Sequence, residues 1–157
     1  MKYLRIIFVI GTVFLFTSIH FVAFAQNSSP QTPPDFFMEL ETLEINQTLP
    51  ESLRTQAIVA PNLNPDFPNR EILTFPSTSS MHPYVVHIEK GKIVFIQLAV
   101  RKEKQDYYTY QLLSMGGTRT ELAKSETEKL VGFPGSGVAY VVTGASNKVI
   151  RVLKFSP

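Results

Sequence analysis

Tyr84-Val85-Val86-His87-Ile88-Glu89-Lys90-Gly91-Lys92-Ile93-Val94-Phe95-Ile96-Gln97-Leu98-Ala99-Val100 decides the fold. Two runs rich in β-branched and aromatic residues flank Lys90-Gly91, and the glycine supplies the positive φ that a tight turn needs. The stretch reads as a β-hairpin. In its second run Val94, Ile96, Leu98 and Val100 share one side, while Ile93, Phe95, Gln97 and Ala99 share the other. Both sides are largely apolar, so this strand is predicted to be central and covered on both faces.

Working outward from the hairpin, Glu71 to Phe75 is a short strand. Arg101-Lys102-Glu103-Lys104-Gln105-Asp106 is a charged loop. Tyr107 to Leu113 reads as a strand, closed by Met115-Gly116-Gly117, and Arg119 to Lys124 as a polar edge strand whose charges deter edge-to-edge pairing. Gly132 to Gly137 is a loop. Val138 to Thr143 and Lys148 to Phe155 form a last hairpin around Gly144-Ala145-Ser146-Asn147. No fixed-period repeat is evident. Short strands separated by glycine-rich turns predict an all-β domain over residues 70–157: a small antiparallel β-sandwich or open barrel of about six to seven strands.

Proline separates the segment before it. Nine of the 11 prolines lie between Pro30 and Pro83. Each removes a backbone donor and restricts its predecessor, so residues 26–69 are predicted to be a Pro-rich arm or linker with one or two helical turns. Asp35 can cap a short helix that places Phe36, Leu40 and Leu43 on one face. Thr48-Leu49-Pro50-Glu51 has capping-box spacing and predicts a second short helix through about Ala57. Phe36, Phe37 or Phe67 can cover an open face of the β domain. On this reading a chain lacking residues 26–69 still folds.

Residues 1–25 read as a secretory signal peptide. Lys2 and Arg5 form a positive start, an apolar run follows from Ile6, and Ala23-Phe24-Ala25 is an A-x-A cleavage site. The alternative is an uncleaved membrane anchor, because Ile6 to Phe24 can cross a bilayer core of roughly 30 Å. His20 and the A-x-A end favour cleavage, after which no stable membrane insertion is expected. The expected location is secreted or periplasmic, and bacterial, since the chain has no cysteine and small eukaryotic secreted domains commonly carry disulfides.

The same leader accounts for the charge. The full chain has 15 basic and 13 acidic side chains, a net +2, and Lys2 with Arg5 makes up the whole excess. A neutral mature chain is a poor electrostatic footprint for nucleic acid, and Arg101-Lys102-Glu103-Lys104 is interrupted by an acid. The missing cysteine excludes thiol catalysis, Cys-ligated metal and a lipobox anchor.

Enzymatic constellations are sparse. His82 and His87 remain after cleavage and point to opposite faces of an extended chain. No H-x-H, H-E-x-x-H or D-x-D-x-D-G run accompanies them, so neither a metal site nor a cofactor is expected. Ser136 lies in Pro134-Gly135-Ser136-Gly137, which fails the Gly-x-Ser-x-Gly pattern of a nucleophile elbow and the phosphate-binding glycine patterns. Glu39, Glu41 and Glu44 read as a solvated helix face. Tyr107, Tyr108 and Tyr110 are three of the six tyrosines. As strand residues they offer contact area plus hydroxyls, a candidate ligand platform for carbohydrate or a protein surface.

Residues 84–155 resemble the bacterial pre-peptidase C-terminal domains, small secreted β-sandwiches attached to exported proteins. The residues that carry this are Tyr84 to Ile93, then Tyr110-Gln111-Leu112-Leu113-Ser114-Met115-Gly116-Gly117, then Gly137-Val138-Ala139-Tyr140-Val141-Val142. The resemblance implies non-catalytic accessory work and transfers no functional residue. The expected function is therefore an exported, non-catalytic binding module for an extracytoplasmic protein or carbohydrate. The alternatives are a small hydrolase using His82 or His87 with a carboxylate, and a β-barrel carrier of an apolar ligand.

Overall fold

A computed structural model describes residues 34–78, 82–133 and 135–156. The expected leader and its expected cleavage site lie outside the described residues. The protein is all-β, with antiparallel strands. Two short helices come first, α1 (Phe37–Glu41) and α2 (Glu51–Arg54). Four strands follow: β1 (Ile58–Ala60), β2 (Glu71–Phe75), β3 (Tyr84–Glu89) and β4 (Lys92–Ala99). After a 3-10 turn at Lys102–Lys104 and helix α3 (Gln105–Ser114) come β5 (Thr120–Lys124), β6 (Glu128–Gly132), β7 (Val138–Thr143) and β8 (Val149–Phe155).

The 8 strands of the described residues belong to one open sheet in the order β1-β2-β3-β4-β8-β7-β6-β5. The strands thus make one sheet where a sandwich would need two stacked ones. Each half is a four-stranded meander, and the last strands of the two halves pair at the centre, with Gln97 opposite Leu153. β4 therefore lies in the interior of the sheet, as its two apolar faces require. The β3–β4 hairpin turns through Lys90 at φ 51° and Gly91 at φ 75°, the two positive values that match the right-handed twist of the flanking strands.

One irregularity re-sorts the faces of β4. His87 is opposite Phe95 and Ile88 is opposite Ile93, so Val94 is an extra residue in the ladder. This bulge moves Ile93 onto the side of Ile96 and Leu98. Strict alternation had placed it with Phe95 and Gln97.

The sheet has two unlike faces. On one, Leu73, Tyr84, Val86, Ile96, Tyr140 and Val152 join the main core with side chains of all three helices: Phe37, Leu40, Leu53, Tyr108 and Leu112. On the other, Phe95, Leu130, Ala139, Val141 and Leu153 form a separate cluster to which no described helix contributes.

Within the arm expected over residues 26–69, the described residues from 34 onward contribute side chains to this core. Phe36, Phe37, Leu40, Leu43, Leu49 and Leu53 are all buried. Polar ties hold it down as well. Asp35 accepts a hydrogen bond from the Tyr84 hydroxyl at 2.6 Å and lies 3.4 Å from the Arg101 guanidinium. Asn46 N–H donates to Ile93 O, and Ile93 N–H to Gln47 O, both at 2.8 Å. Lys154 on β8 donates to the carbonyls of Glu41 and Leu43 at the C-terminal end of α1. β1 extends the sheet by pairing with β2. The prolines at 61, 65 and 68 accord with the irregular backbone of residues 61–70, and say nothing of the distant surface that the leucines and phenylalanines before them cover. Asp35 does accept from the Phe37 N–H at 3.0 Å near the start of α1. Thr48 makes no capping box, its hydroxyl receiving Lys92 Nζ at 3.1 Å.

Two further expectations are corrected. Tyr107 to Leu113 is the body of α3, and the charged loop before it is the 3-10 turn and first residues of that helix. Glu128–Gly132, unassigned in sequence, is strand β6, with Gly132 as its last residue.

Candidate functional site

The tyrosines are the first candidate. Tyrosine favours strands, but the helical spacing of Tyr108 and Leu112 lets both reach the core at once. The core decides the outcome. Tyr108 stacks edge-on against Phe37 with ring centroids 6.4 Å apart, and its hydroxyl donates to Glu41. Burial first, and the Glu41 carboxylate second, hold the Tyr108 phenol well above its ordinary pKa. Thr109 anchors the next part of the helix, accepting the Val149 N–H of β8 at 3.0 Å. Asp106 in the first turn favours the helix dipole and pairs with Lys148.

This helix splits the expected platform. Tyr108 is buried, while Tyr107, Tyr110 and Leu113 are 51%, 71% and 59% exposed. Spaced three apart, these three follow one another along the outer side of α3. The Tyr107 ring is engaged already: its hydroxyl accepts from Gln111 at 2.8 Å, Tyr108 packs against it, and Lys104 Nζ lies 5.7 Å from its centroid. Tyr110 and Leu113 are the open part of the stripe.

The second candidate is on the helix-free face, which carries three buried polar side chains: His87, Gln97 and Arg151. Arg151 on β8 reaches across Val141 of β7 to pair with Glu128 on β6. His82 completes the group, its Nε2 lying 3.6 Å from Glu128 Oε1. Burial and the Arg151 charge push the His82 imidazole below its ordinary pKa, and Glu128 only partly offsets them. Burial also lowers Arg151, against the opposing pull of Glu128. Gln97 donates to Pro83 O at 3.2 Å, and its Oε1 has no hydrogen-bond partner among the described residues.

His87 is not part of this group. It packs against Phe95 with ring centroids 4.7 Å apart, and burial, then the Arg70 charge, lower its pKa to about 3. It is a neutral wall residue of the sheet. The sequence offered no signal for Glu128 or Arg151, because neither sits in a motif and the contact is made only in three dimensions.

The remaining candidates are structural. Ser136 Oγ lies 2.8 Å from Phe133 O and accepts the Val138 N–H at 3.2 Å, closing a local turn. Among the described residues, no group of three His, Asp or Glu side chains is arranged to hold a metal ion. No described helix is long and apolar enough to cross a membrane. No family model matches the chain, and neither curated proteins nor solved structures yield a match.

Proposed function

We propose that the chain is an exported, non-catalytic binding module whose contact surface is the outer side of α3, and whose partner is a protein. The observation that carries this is the stripe of Tyr107, Tyr110 and Leu113, exposed on a helix whose other side is fixed in the core. Exposed aromatic side chains on a rigid element make contact area at little conformational cost. The geometry favours protein over carbohydrate. The Tyr107 ring is engaged by Lys104 and Tyr108, and the exposed Tyr110 ring has the apolar Leu113 beside it on the same side of the helix. Tyr110 and Leu113, three apart on one side of α3, make the kind of exposed helical stripe that a groove on a protein receives. Export rests on the leader, and the accessory role implied for residues 84–155 accords with this reading.

The hydrolase alternative has one observation in its favour, the approach of His82 to Glu128 at 3.6 Å. That carboxylate also pairs with buried Arg151, which gives it a structural task. The carrier alternative requires a closed barrel, and this sheet is open.

The test is the double variant Tyr110→Ala, Leu113→Ala in the exported protein. Its unfolding free energy should stay within about 0.5 kcal/mol of the parent at each site, as for surface substitutions. Co-purification of its partner should fall roughly tenfold or more, as for loss of interface anchors. Undiminished recovery of the partner would remove α3 as the contact surface. Sedimentation with insoluble polysaccharide that depends on Tyr110 would replace the protein partner with a carbohydrate.

A further inference from the structure

Arg101-Lys102-Glu103-Lys104 reads in sequence as a cationic run broken by an acid. The fold removes the break. Glu103 lies 3.2 Å from the Arg101 guanidinium, and Asp106, the next acid, pairs with Lys148. Both acids of residues 101–119 thus have a cation beside them. Lys102, Lys104 and Arg119 have no such compensation: among the described residues, none of the three has a carboxylate within ion-pair distance. The chain beyond residue 25 is balanced in charge, so this excess is a local patch.

Two of these cations are held at the two ends of the α3 stripe. Lys104 immediately precedes α3, and its Nζ lies 5.7 Å from the Tyr107 ring centroid. After the loop Met115-Gly116-Gly117-Thr118, Arg119 donates to Leu113 O at 2.9 Å. A positive charge there suits the negative end of the helix dipole. Both holding groups are neutral, a ring and a carbonyl, so they place the cations without cancelling their charge. Lys104 and Leu113 are separated by about 14 Å of helix axis at about 1.5 Å per residue. Tyr107 and Tyr110 lie between them. Lys102 is a further exposed cation at the N-terminal end. Glu121, the first acid after Arg119, lies on β5 outside ion-pair distance of it.

From this arrangement we infer that the protein partner of α3 presents an anionic apolar groove: a slot that receives Tyr110 and Leu113, with carboxylates at its two ends facing Lys104 and Arg119. This partner chemistry rests on α3 being the contact surface. Carboxylates at both ends speed encounter and set the register of the groove along the helix. A basic groove would bring like charges together at both ends, and a neutral one would leave the cations without a counter-charge. The charged part of the contact is screened by salt, because exposed charges interact only over roughly 8 Å at physiological ionic strength. Burial of Tyr110 and Leu113 is not screened in this way.

Photo-crosslinking from position 110 of the full chain, in the exported protein fraction of its host, tests the charge of the groove. The protein adduct should fall roughly fivefold or more in the double variant Lys104→Glu, Arg119→Glu. In the parent it should fall roughly threefold or more as salt rises from about 50 mM to about 500 mM. Lys124→Glu, at the far end of β5, should leave it unchanged. An adduct that survives the charge reversal or the salt, or that falls equally in Lys124→Glu, overturns the anionic groove and leaves α3 as the contact surface. No adduct from the parent overturns both. Flotation of the parent with vesicles of phosphatidylethanolamine and phosphatidylglycerol, abolished in the double variant, would assign the patch to a lipid surface and overturn the protein groove. Should Arg119→Glu fail to fold, Lys102→Glu decides, since the Lys102 side chain makes no hydrogen bond or ion pair among the described residues. A loss of roughly twofold or more there supports the groove, and an unchanged adduct overturns it.

Discussion

A chain that begins at Ala57 is expected to lose cooperative unfolding altogether. Truncation there removes six large buried side chains: Phe36, Phe37, Leu40, Leu43, Leu49 and Leu53. Burying each contributes about 1.5–3 kcal/mol, so together they supply on the order of 10 kcal/mol. That matches the entire net stability of a typical domain, about 5–15 kcal/mol. The loss is compounded on the sheet, because Tyr84, Val86, Ile96 and Leu98 share the cluster that those residues cover. Tyr84 also loses its Asp35 partner, and Lys154 loses both of its carbonyl acceptors. Thermal melts followed by far-UV circular dichroism compare this chain with one starting at Gln26. A cooperative melt of the shortened chain near the parent midpoint would show that residues 34–56 are dispensable.

The second large effect is acid lability centred on His87. The ring is buried on β3 between Ile72 of β2 and Phe95 of β4, and its Nδ1 has no hydrogen-bond partner among the described residues. Charging it means placing a cation in an apolar wall near Arg70, which is why its pKa falls from 6.5 to about 3. Since the folded value lies below the unfolded one, the neutral ring's contribution is complete above pH 6.5. It is lost progressively down to about pH 3. At about 1.4 kcal/mol per pKa unit, the full loss is on the order of 4–5 kcal/mol. Replacing His87 by phenylalanine removes the titration and leaves an apolar ring beside Phe95. Urea melts from about pH 7 to about pH 4 should then show a shallower decline for His87→Phe, with neutral-pH stability changed by about 1.5 kcal/mol or less. An acid-side decline identical to that of the parent would remove His87 as its cause.

These two effects mark what the sequence could and could not convey. The β3–β4 hairpin was legible because everything that defines it is local: β-branched runs, Lys90-Gly91, and two apolar faces. The polar edge strand at Thr120–Lys124 was legible for the same reason, and it does border the sheet. The N-terminal segment was not, because its prolines describe its own backbone while its role depends on a surface formed much later in the chain. Tyr107 to Leu113 satisfies either period. Contacts with Phe37 and Glu41 select the helix, and those residues belong to that same segment. β6 was left unassigned because Glu128 and Lys129 open it with charges and break the apolar pattern, although Glu128 serves a buried arginine.

The candidate sites divide along the same line. Tyr107, Tyr108 and Tyr110 were visible as residues, but only the helix reveals which of them face outward. His82 was visible as a titratable group. Its neighbours Glu128 and Arg151 come from separate strands of the second meander, and no spacing rule connects them to it.

The central proposal is that the exposed side of α3 binds a protein partner outside the cytoplasm. A photo-crosslinking amino acid placed singly at Tyr110, Leu113 or the exposed β5 residue Glu121, in the exporting host, tests it most directly. The account expects the same discrete crosslinked partner from positions 110 and 113, and none from 121. No adduct at 110 and 113, or the same adduct from all three positions, would contradict it.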